Sequence, residues 1–227
     1  MLGTLLALGF LLGLKHALDA DHVSAMASLA TRSRGMRATV RLAGAWGVGH
    51  ASVLVVFGAV LVALGATLPD QVARWLEAGV GVMLVLLGID VLRRLRGKQI
   101  HAHAHEHEGE RHAHVHIHEQ GRAGHQHGHA GAMLSRALLI GCVHGLAGTA
   151  GLVLLAAPAM SSGAGAIAYL AVFGLGTILG MMLFSVLISV PLTMSVRRLR
   201  WMAGTLEVLV GTVNVLLGLW IAYQSIA

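Results

Sequence analysis

The chain has 227 residues, of which 56% are hydrophobic and only 11% are charged, and its mean hydropathy is +0.75. Because soluble domains carry about 25% charged residues, this composition excludes a soluble globular protein and predicts a polytopic protein of the lipid bilayer. The net charge of +6 does not indicate nucleic-acid binding, since the arginines lie in loops between apolar segments. The single cysteine, Cys142, excludes an internal disulfide and a two-cysteine redox relay.

Six apolar segments are each long enough to cross a bilayer, which takes about 20 residues. They predict an all-α integral membrane protein of six transmembrane helices, at residues 2–30, 41–66, 72–93, 133–157, 164–191 and 202–223. The first segment has no basic n-region and no cleavage-site pattern, so we expect a membrane span and not a cleaved signal peptide.

Arginine and lysine are concentrated in alternate loops, which is typical of the cytoplasmic side of a bacterial-type inner membrane. The first, third and fifth loops carry them, and the second and fourth loops contribute only Arg74. We therefore expect a multi-pass protein of the inner (cytoplasmic) membrane, with both termini outside and the odd-numbered loops in the cytoplasm.

The first segment contains four ionisable side chains within seven residues, namely His16, Asp19, Asp21 and His22. Such groups are costly in hydrocarbon, so they need partners or a water-filled cavity and indicate a functional site. Imidazole and carboxylate together suit a first-row divalent cation. A regular helix would place His16, Asp19 and His22 on one side, whereas a local break would also turn Asp21 inward. The alternative role of the motif is to cap the end of a short first span.

Two further histidines lie inside predicted spans. His50 is preceded by Gly49 and followed by Ala51-Ser52, small residues that let an ion or another backbone approach. His144 lies near the start of the fourth span, at the position that an internal repeat aligns with His16. We predict both as metal ligands, although a lone intramembrane histidine also serves as a hydrogen-bonded packing residue.

The two halves of the chain resemble each other. Gly13 to Leu18 matches Gly141 to Leu146, and the region of Gly47 matches the region of Gly174. A further set of residues has identical spacing in both halves: Glu77, Gly81 and Gly88 in the first, and Glu207, Gly211 and Gly218 in the second. Three spans per half would turn the second half upside down, giving the 3+3 inverted repeat that is typical of secondary transporters.

A histidine-rich loop separates the halves. Residues 101–129 hold eleven of the fifteen histidines, a composition that cannot form a packed core and that suggests metal binding. We predict three parts: residues 1–98 as the first three-helix half, residues 99–132 as a cytoplasmic loop that is disordered or only locally ordered, and residues 133–227 as the second half. The accessory metal ligands predicted in the loop are His101, His103, His105, His107, His112, His114, His116 and His118.

The segment from His16 to His22 resembles the HX4DH signature of the nickel/cobalt transporter (NiCoT) family, and Gly49-His50-Ala51-Ser52-Val53 resembles that family's second motif. The segment from His144 to Gly148 is similar to the corresponding region of its six-span relatives, the UreH type and the RcnA-type efflux proteins. The resemblance implies selective Ni²⁺ or Co²⁺ transport across the inner membrane, with uptake and efflux both open. It also implies cytoplasmic nickel-enzyme maturation proteins as partners.

The sequence therefore predicts a secondary transporter that is not an enzyme and needs no cofactor beyond the transported ion, because no P-loop, nucleotide domain or phosphorylated-Asp motif is present. Energy would come from a gradient, and imidazoles beside carboxylates could couple ion release to protonation. Two alternatives stay open: a membrane-anchored metal sensor or chaperone that uses the histidine-rich loop, and a haem-binding electron-transfer protein. The single cysteine argues against a thiol-disulfide carrier.

Overall fold

The computed structural model describes residues 2–33, 35–95, 131–147, 163–190 and 204–227 in full, and the backbone alone of 96–107, 110–119, 130, 148–156, 191–198 and 200–203. Within these ranges the membrane-embedded part is entirely helical. The helices are α1 (Leu2–His16), α2 (Ala20–Ala30), α3 (Met36–Leu64), α4 (Asp70–Gly97), α5 (Ala130–Ala156), α6 (Gly163–Arg198) and α7 (Arg200–Ile226), and a hairpin of β1 (Lys98–His107) and β2 (Glu110–Glu119) joins α4 to α5.

Four helices of the described part are long and apolar enough to cross a membrane, and the pair α1 and α2 makes a fifth span if it is counted as one bent segment. The protein is therefore a multi-pass membrane protein. Each predicted apolar segment coincides with a helix or with the bent pair. In α5, residues Gly131–Ala147 form a shorter apolar helix within the fully described range, so a sixth span stays a prediction.

The first predicted span is broken. Helix α1 ends at His16, α2 begins at Ala20, and the two axes differ by 56°. Asp19 is the N-cap residue of α2, but its side chain contacts His16 instead of capping the helix. The break therefore separates His16 from Asp21 and His22 by a sharp turn in the backbone.

Helices α1 and α6 approach each other closely because both carry glycine at the crossing. A Cβ atom added at Gly13 would meet the carbonyl oxygen of Phe173, and one added at Gly176 would meet that of Phe10. Packing through small residues is how membrane helices come together when no hydrophobic force favours one apolar neighbour over lipid.

Helices α3 and α5 cross in the same manner. A Cβ atom at Gly141 would meet the carbonyl oxygen of Trp46, and one at Gly49 would meet that of Leu138. This crossing holds the middle of α5 against the middle of α3, where two of the candidate ligands lie.

Helices α4 and α7 run side by side in opposite directions. A Cβ atom at Gly81 would lie 2.6 Å from the carbonyl oxygen of Gly218, and one at Gly88 would lie 2.6 Å from that of Gly211. Helix α2 is joined to this pair by Asn214, a fully buried side chain whose amide donates to the carbonyl oxygen of Ser24 at 3.1 Å.

The histidine-rich segment is locally ordered where its backbone is described. Strands β1 and β2 pair antiparallel, and their register sets His101 opposite His116, His103 opposite His114, and His105 opposite His112. The physical reason is the alternation of histidine with Ala, Val or Ile, since a period of two residues suits a strand. The side chains of the eight predicted accessory ligands, and residues 120–129 altogether, lie outside the described part.

Candidate metal centre

Four histidines from four helices meet in the interior of the bundle. His16 ends α1, His22 lies in the first turn of α2, and His50 and His144 are each the fifteenth residue of their helices, α3 and α5. Ring centroids lie 4.2 Å apart for His22 and His144, and 4.4 Å apart for His16 and His22. The ring centroid of His50 lies 4.9 to 5.6 Å from those of the other three histidines.

These rings are almost completely removed from the surface. His22, His50 and His144 are 1%, 0% and 2% exposed, and the side chain of His16 is 18% exposed. Trp46 packs against the rings of His22 and His144, with centroids 5.5 Å away in each case. Phe173 packs against His16 at the same distance. The cluster is thus enclosed by aromatic and apolar groups.

Carboxylates hold one nitrogen of three of the four rings. Asp21 accepts hydrogen bonds from Nδ1 of His22 at 3.1 Å and from Nε2 of His144 at 2.7 Å. Asp19 accepts one from Nδ1 of His16 at 2.6 Å. Because a carboxylate only accepts, each of these nitrogens carries the proton, and the opposite nitrogen of the neutral ring keeps its lone pair.

The lone-pair nitrogens have no partner. Among the buried polar atoms of the described residues, five imidazole nitrogens lack a hydrogen bond: Nε2 of His16, Nε2 of His22, both nitrogens of His50 and Nδ1 of His144. A buried polar atom without a partner is destabilising, so these nitrogens need a metal ion or a water molecule beside them. Imidazole held by a carboxylate on its far side is the arrangement that orients histidine ligands around metals.

The arrangement can hold a metal ion in two overlapping ways. Potential ligand atoms of His16, His22 and His50 lie within 4.8 Å of one another, and so do those of Asp21, His22 and His144. His22 belongs to both groups and is the centre of the cluster. Asp19 lies at the margin, with a side chain that is 51% exposed.

The structure therefore brings together five of the six predicted intramembrane site residues, and Asp19 joins them through His16. The sequence analysis did not identify Trp46, which packs against the cluster and lies one helical turn before His50. It also gave no role to Asn214. An uncharged amide in an apolar helix was the available signal for Asn214, since it needs an internal partner there.

A second polar cluster lies near the ends of α2 and α4 that adjoin the arginine-rich loops. One carboxylate oxygen of Asp90 pairs with Arg32 and also with Arg94, the latter at 3.0 Å, and Arg94 donates to the hydroxyl of Thr31 at 3.4 Å. These contacts fasten the end of α2 to α4.

The fold and the buried cluster define a multi-pass membrane protein with a histidine and carboxylate centre. The sequence model described as the cytochrome c biogenesis protein transmembrane region matches residues 4–220, and the chain belongs to that family. It is also 31% identical, over 197 residues, to the urease accessory protein UreH of Bacillus sp. (strain TB-90), in an alignment that covers 87% of this chain and 81% of that protein. No solved structure matches the chain.

Proposed function

We propose that this protein is a secondary transporter that moves Ni²⁺, Co²⁺ or both through the histidine cluster. The observation that carries the proposal is the set of five imidazole nitrogens, on four clustered histidines, that are buried without a hydrogen-bond partner. Neutral imidazole with supporting carboxylate favours a borderline divalent ion such as Ni²⁺ or Co²⁺ over hard Mg²⁺ or Ca²⁺. The ion is the substrate, its proposed ligands are His16, His22, His50 and His144, and Asp21 orients two of them.

The proposed architecture is six spans in a 3+3 inverted repeat, and the glycine contacts support it. At the α1–α6 crossing, Gly13 meets Phe173 and Gly176 meets Phe10. At the α3–α5 crossing, the residues that the repeat aligns with these make the same contacts: Gly141 meets Trp46 and Gly49 meets Leu138. Such an exchange of partners is expected when two similar halves are related by a two-fold axis.

The contact between α4 and α7 has the same internal symmetry. The repeat aligns Gly81 with Gly211 and Gly88 with Gly218, and the observed pairs are Gly81 with Gly218 and Gly88 with Gly211. Each pair is thus the image of the other. Transporters built from inverted repeats have their substrate site near the midplane where the halves meet, and the cluster draws its histidines from both halves.

The membrane side follows from the arginines. We propose the inner membrane, with the arginine-rich ends of the helices and the histidine-rich hairpin in the cytoplasm and both termini outside. A relative named as a urease accessory protein fits a supply of nickel to cytoplasmic maturation proteins, which is the partnership that the NiCoT resemblance implies.

The test is metal flux into proteoliposomes that contain the purified protein and a metal-sensitive dye. Ni²⁺ and Co²⁺ should enter, Mg²⁺ should not, and His22→Ala should abolish entry because His22 belongs to both ligand groups. Gly79→Ala is the control for reconstitution, since an added methyl group there meets no atom within 4 Å. Flux that is equal in wild type and His22→Ala would refute the proposed site, and imposed pH gradients of either sign would reveal proton coupling and direction.

A membrane-anchored metal sensor or chaperone is the second candidate, and the hairpin register favours it by setting three histidine pairs opposite each other. Deletion of residues 101–129 separates the two functions: a transporter keeps flux, whereas a sensor loses its response.

Haem binding is disfavoured because the histidine rings are packed side by side, with centroids 4.2–5.6 Å apart. An intense Soret band in the purified protein would instead support haem binding. A thiol-disulfide carrier is disfavoured by the single cysteine.

A further inference from the structure

A cavity of about 250 Å³ lies beside the histidine cluster. His22, His144 and Asp21 line it from the cluster, and Glu77, Val80 and Ile221 line it further out. Glu77 lies seven residues after the start of α4, and Ile221 lies five residues before the end of α7. The cavity therefore extends toward the end of the bundle that is opposite the arginine-rich loops.

Glu77 is the acidic residue of the outer part of this cavity. It lies about 10 Å along α4 from the first residue of the helix, given a rise of about 1.5 Å per residue. A carboxylate at this depth needs water or a cation, since hydrocarbon solvates it poorly. Its side chain is exposed, and among the described residues no hydrogen bond or ion pair engages it. Glu77 is also outside both ligand groups of the cluster.

The counterpart of Glu77 lies in a different setting. Glu207 has the same spacing to Gly211 and Gly218 as Glu77 has to Gly81 and Gly88, but it interacts electrostatically with Arg94. Arg94 is itself held by Asp90, together with Arg32. One end of the bundle thus offers an unengaged carboxylate beside a cavity, and the other end has its carboxylates engaged by arginines.

We infer that Glu77 is the entry carboxylate of the transport pathway, drawing a divalent cation into the cavity and toward the histidine cluster. The inference rests on the proposed transport function and adds the route and a residue that acts before the ligands do. A negative charge at the mouth of a cleft with low-dielectric walls concentrates cations there and raises their association rate. Glu77 therefore governs how fast the ion arrives, whereas the imidazoles govern how tightly it stays.

Trp46 provides the readout, because its ring packs against His22 and His144 and Ni²⁺ quenches a nearby indole. With the other three tryptophans (Trp75, Trp201 and Trp220) replaced by phenylalanine, stopped-flow fluorescence of the full chain in detergent would give the association rate of Ni²⁺. We expect Glu77→Gln to lower that rate about threefold or more at low ionic strength and to flatten its salt dependence. Glu77→Asp, which keeps the charge, should behave as wild type and controls for folding.

Glu207→Gln is the matched control, since it removes the same charge from the equivalent position and should leave the rate unchanged. Equal rates and salt dependence in wild type and Glu77→Gln would overturn the inference while leaving Ni²⁺ binding at the cluster intact. Equal losses in Glu77→Gln and Glu207→Gln would also overturn it, because net charge alone would then explain them. No Ni²⁺ quenching in the wild-type background would overturn the proposed function and the inference together.

Discussion

Nε2 of His144 donates a hydrogen bond of 2.7 Å to the carboxylate of Asp21, although the two residues are 123 positions apart in the chain. Asp21 belongs to the first turn of α2, directly after the break, and His144 belongs to the middle of α5. The bond therefore joins the two halves of the protein at the cluster. Since the other carboxylate oxygen accepts from His22, Asp21 fixes the orientation and the tautomer of two candidate ligands at once.

Asp21→Asn should therefore weaken Ni²⁺ binding by about 10- to 100-fold, the usual loss when the group behind a ligating histidine is changed. The amide keeps the size of the carboxylate but presents an N–H to one of the two rings, which disfavours the tautomer with an inward lone pair. Titration of Trp46 fluorescence with Ni²⁺ measures the affinity. Asp19→Asn is the control and should lose less, because Asp19 is half exposed and water can replace it. An unchanged affinity in Asp21→Asn would contradict the orienting role.

His50 is expected to lower the stability of the metal-free protein while it contributes to Ni²⁺ binding. Both of its ring nitrogens are buried without a partner, which costs about 1–3 kcal/mol in the metal-free protein. His50→Leu should consequently leave the metal-free protein as stable as wild type or more stable. It should also reduce the stabilisation by Ni²⁺, which for wild type is about 2.7 kcal/mol at a hundredfold excess over Kd.

Thermal unfolding in detergent, with and without Ni²⁺, tests this prediction. Mg²⁺ in place of Ni²⁺ is the control, because a hard cation does not select imidazole and should stabilise neither protein. A metal-free His50→Leu protein that unfolds at a markedly lower temperature would indicate that His50 is a packing residue and not a ligand.

Glycine packing predicts a contrast between two neighbouring positions of α4. A Cβ atom at Gly81 would lie 2.6 Å from the carbonyl oxygen of Gly218, whereas one at Gly79 would meet nothing within 4 Å. Gly81→Ala should force the two backbones apart and destabilise the protein by about 1–3 kcal/mol. Gly79→Ala should be neutral or stabilising by up to about 1 kcal/mol, since alanine is the better helix former. Chemical denaturation in detergent compares them, and equal effects would disprove the close contact.

Much of the helical arrangement and of the histidine cluster can be predicted from the sequence, because ionisable residues in an apolar segment are conspicuous. Apolar length locates the helices, and the cost of ionisable groups in hydrocarbon identifies His16, Asp21, His22, His50 and His144 as residues that need an explanation. The sequence does not decide whether α1 continues through Asp19, since a helix and a broken helix both accommodate the spacing. The break becomes evident only when α5 and its His144 provide a partner for Asp21.

The cavity beside Glu77 and the pairing in the histidine-rich segment depend on contacts between distant parts of the chain, which the spacing of residues in the sequence does not determine. The sequence places Glu77 near the start of a span, but the cavity beside it is completed by residues of α5 and α7. The histidine-rich segment was expected, from its composition, to be disordered or only locally ordered, and its alternation of residues favours the paired strands found in its backbone. Composition predicts the absence of a core and does not exclude local pairing.

The ion cluster at Asp90 predicts an energetic coupling between α2 and α4. Asp90→Asn leaves Arg32 and Arg94 beside each other without their shared carboxylate. All three side chains are partly exposed, between 25% and 39%, so each ion pair contributes about 0.2–1 kcal/mol.

We expect Asp90→Asn to lower the free energy of unfolding by about 1 kcal/mol. A double-mutant cycle of Asp90→Asn with Arg32→Gln should give a coupling energy of about 0.5 kcal/mol. Arg37→Gln, an exposed arginine in the adjoining turn of α3, should show no coupling to Asp90→Asn. Additive effects of Arg32→Gln and Asp90→Asn would mean that the ion cluster does not fasten α2 to α4.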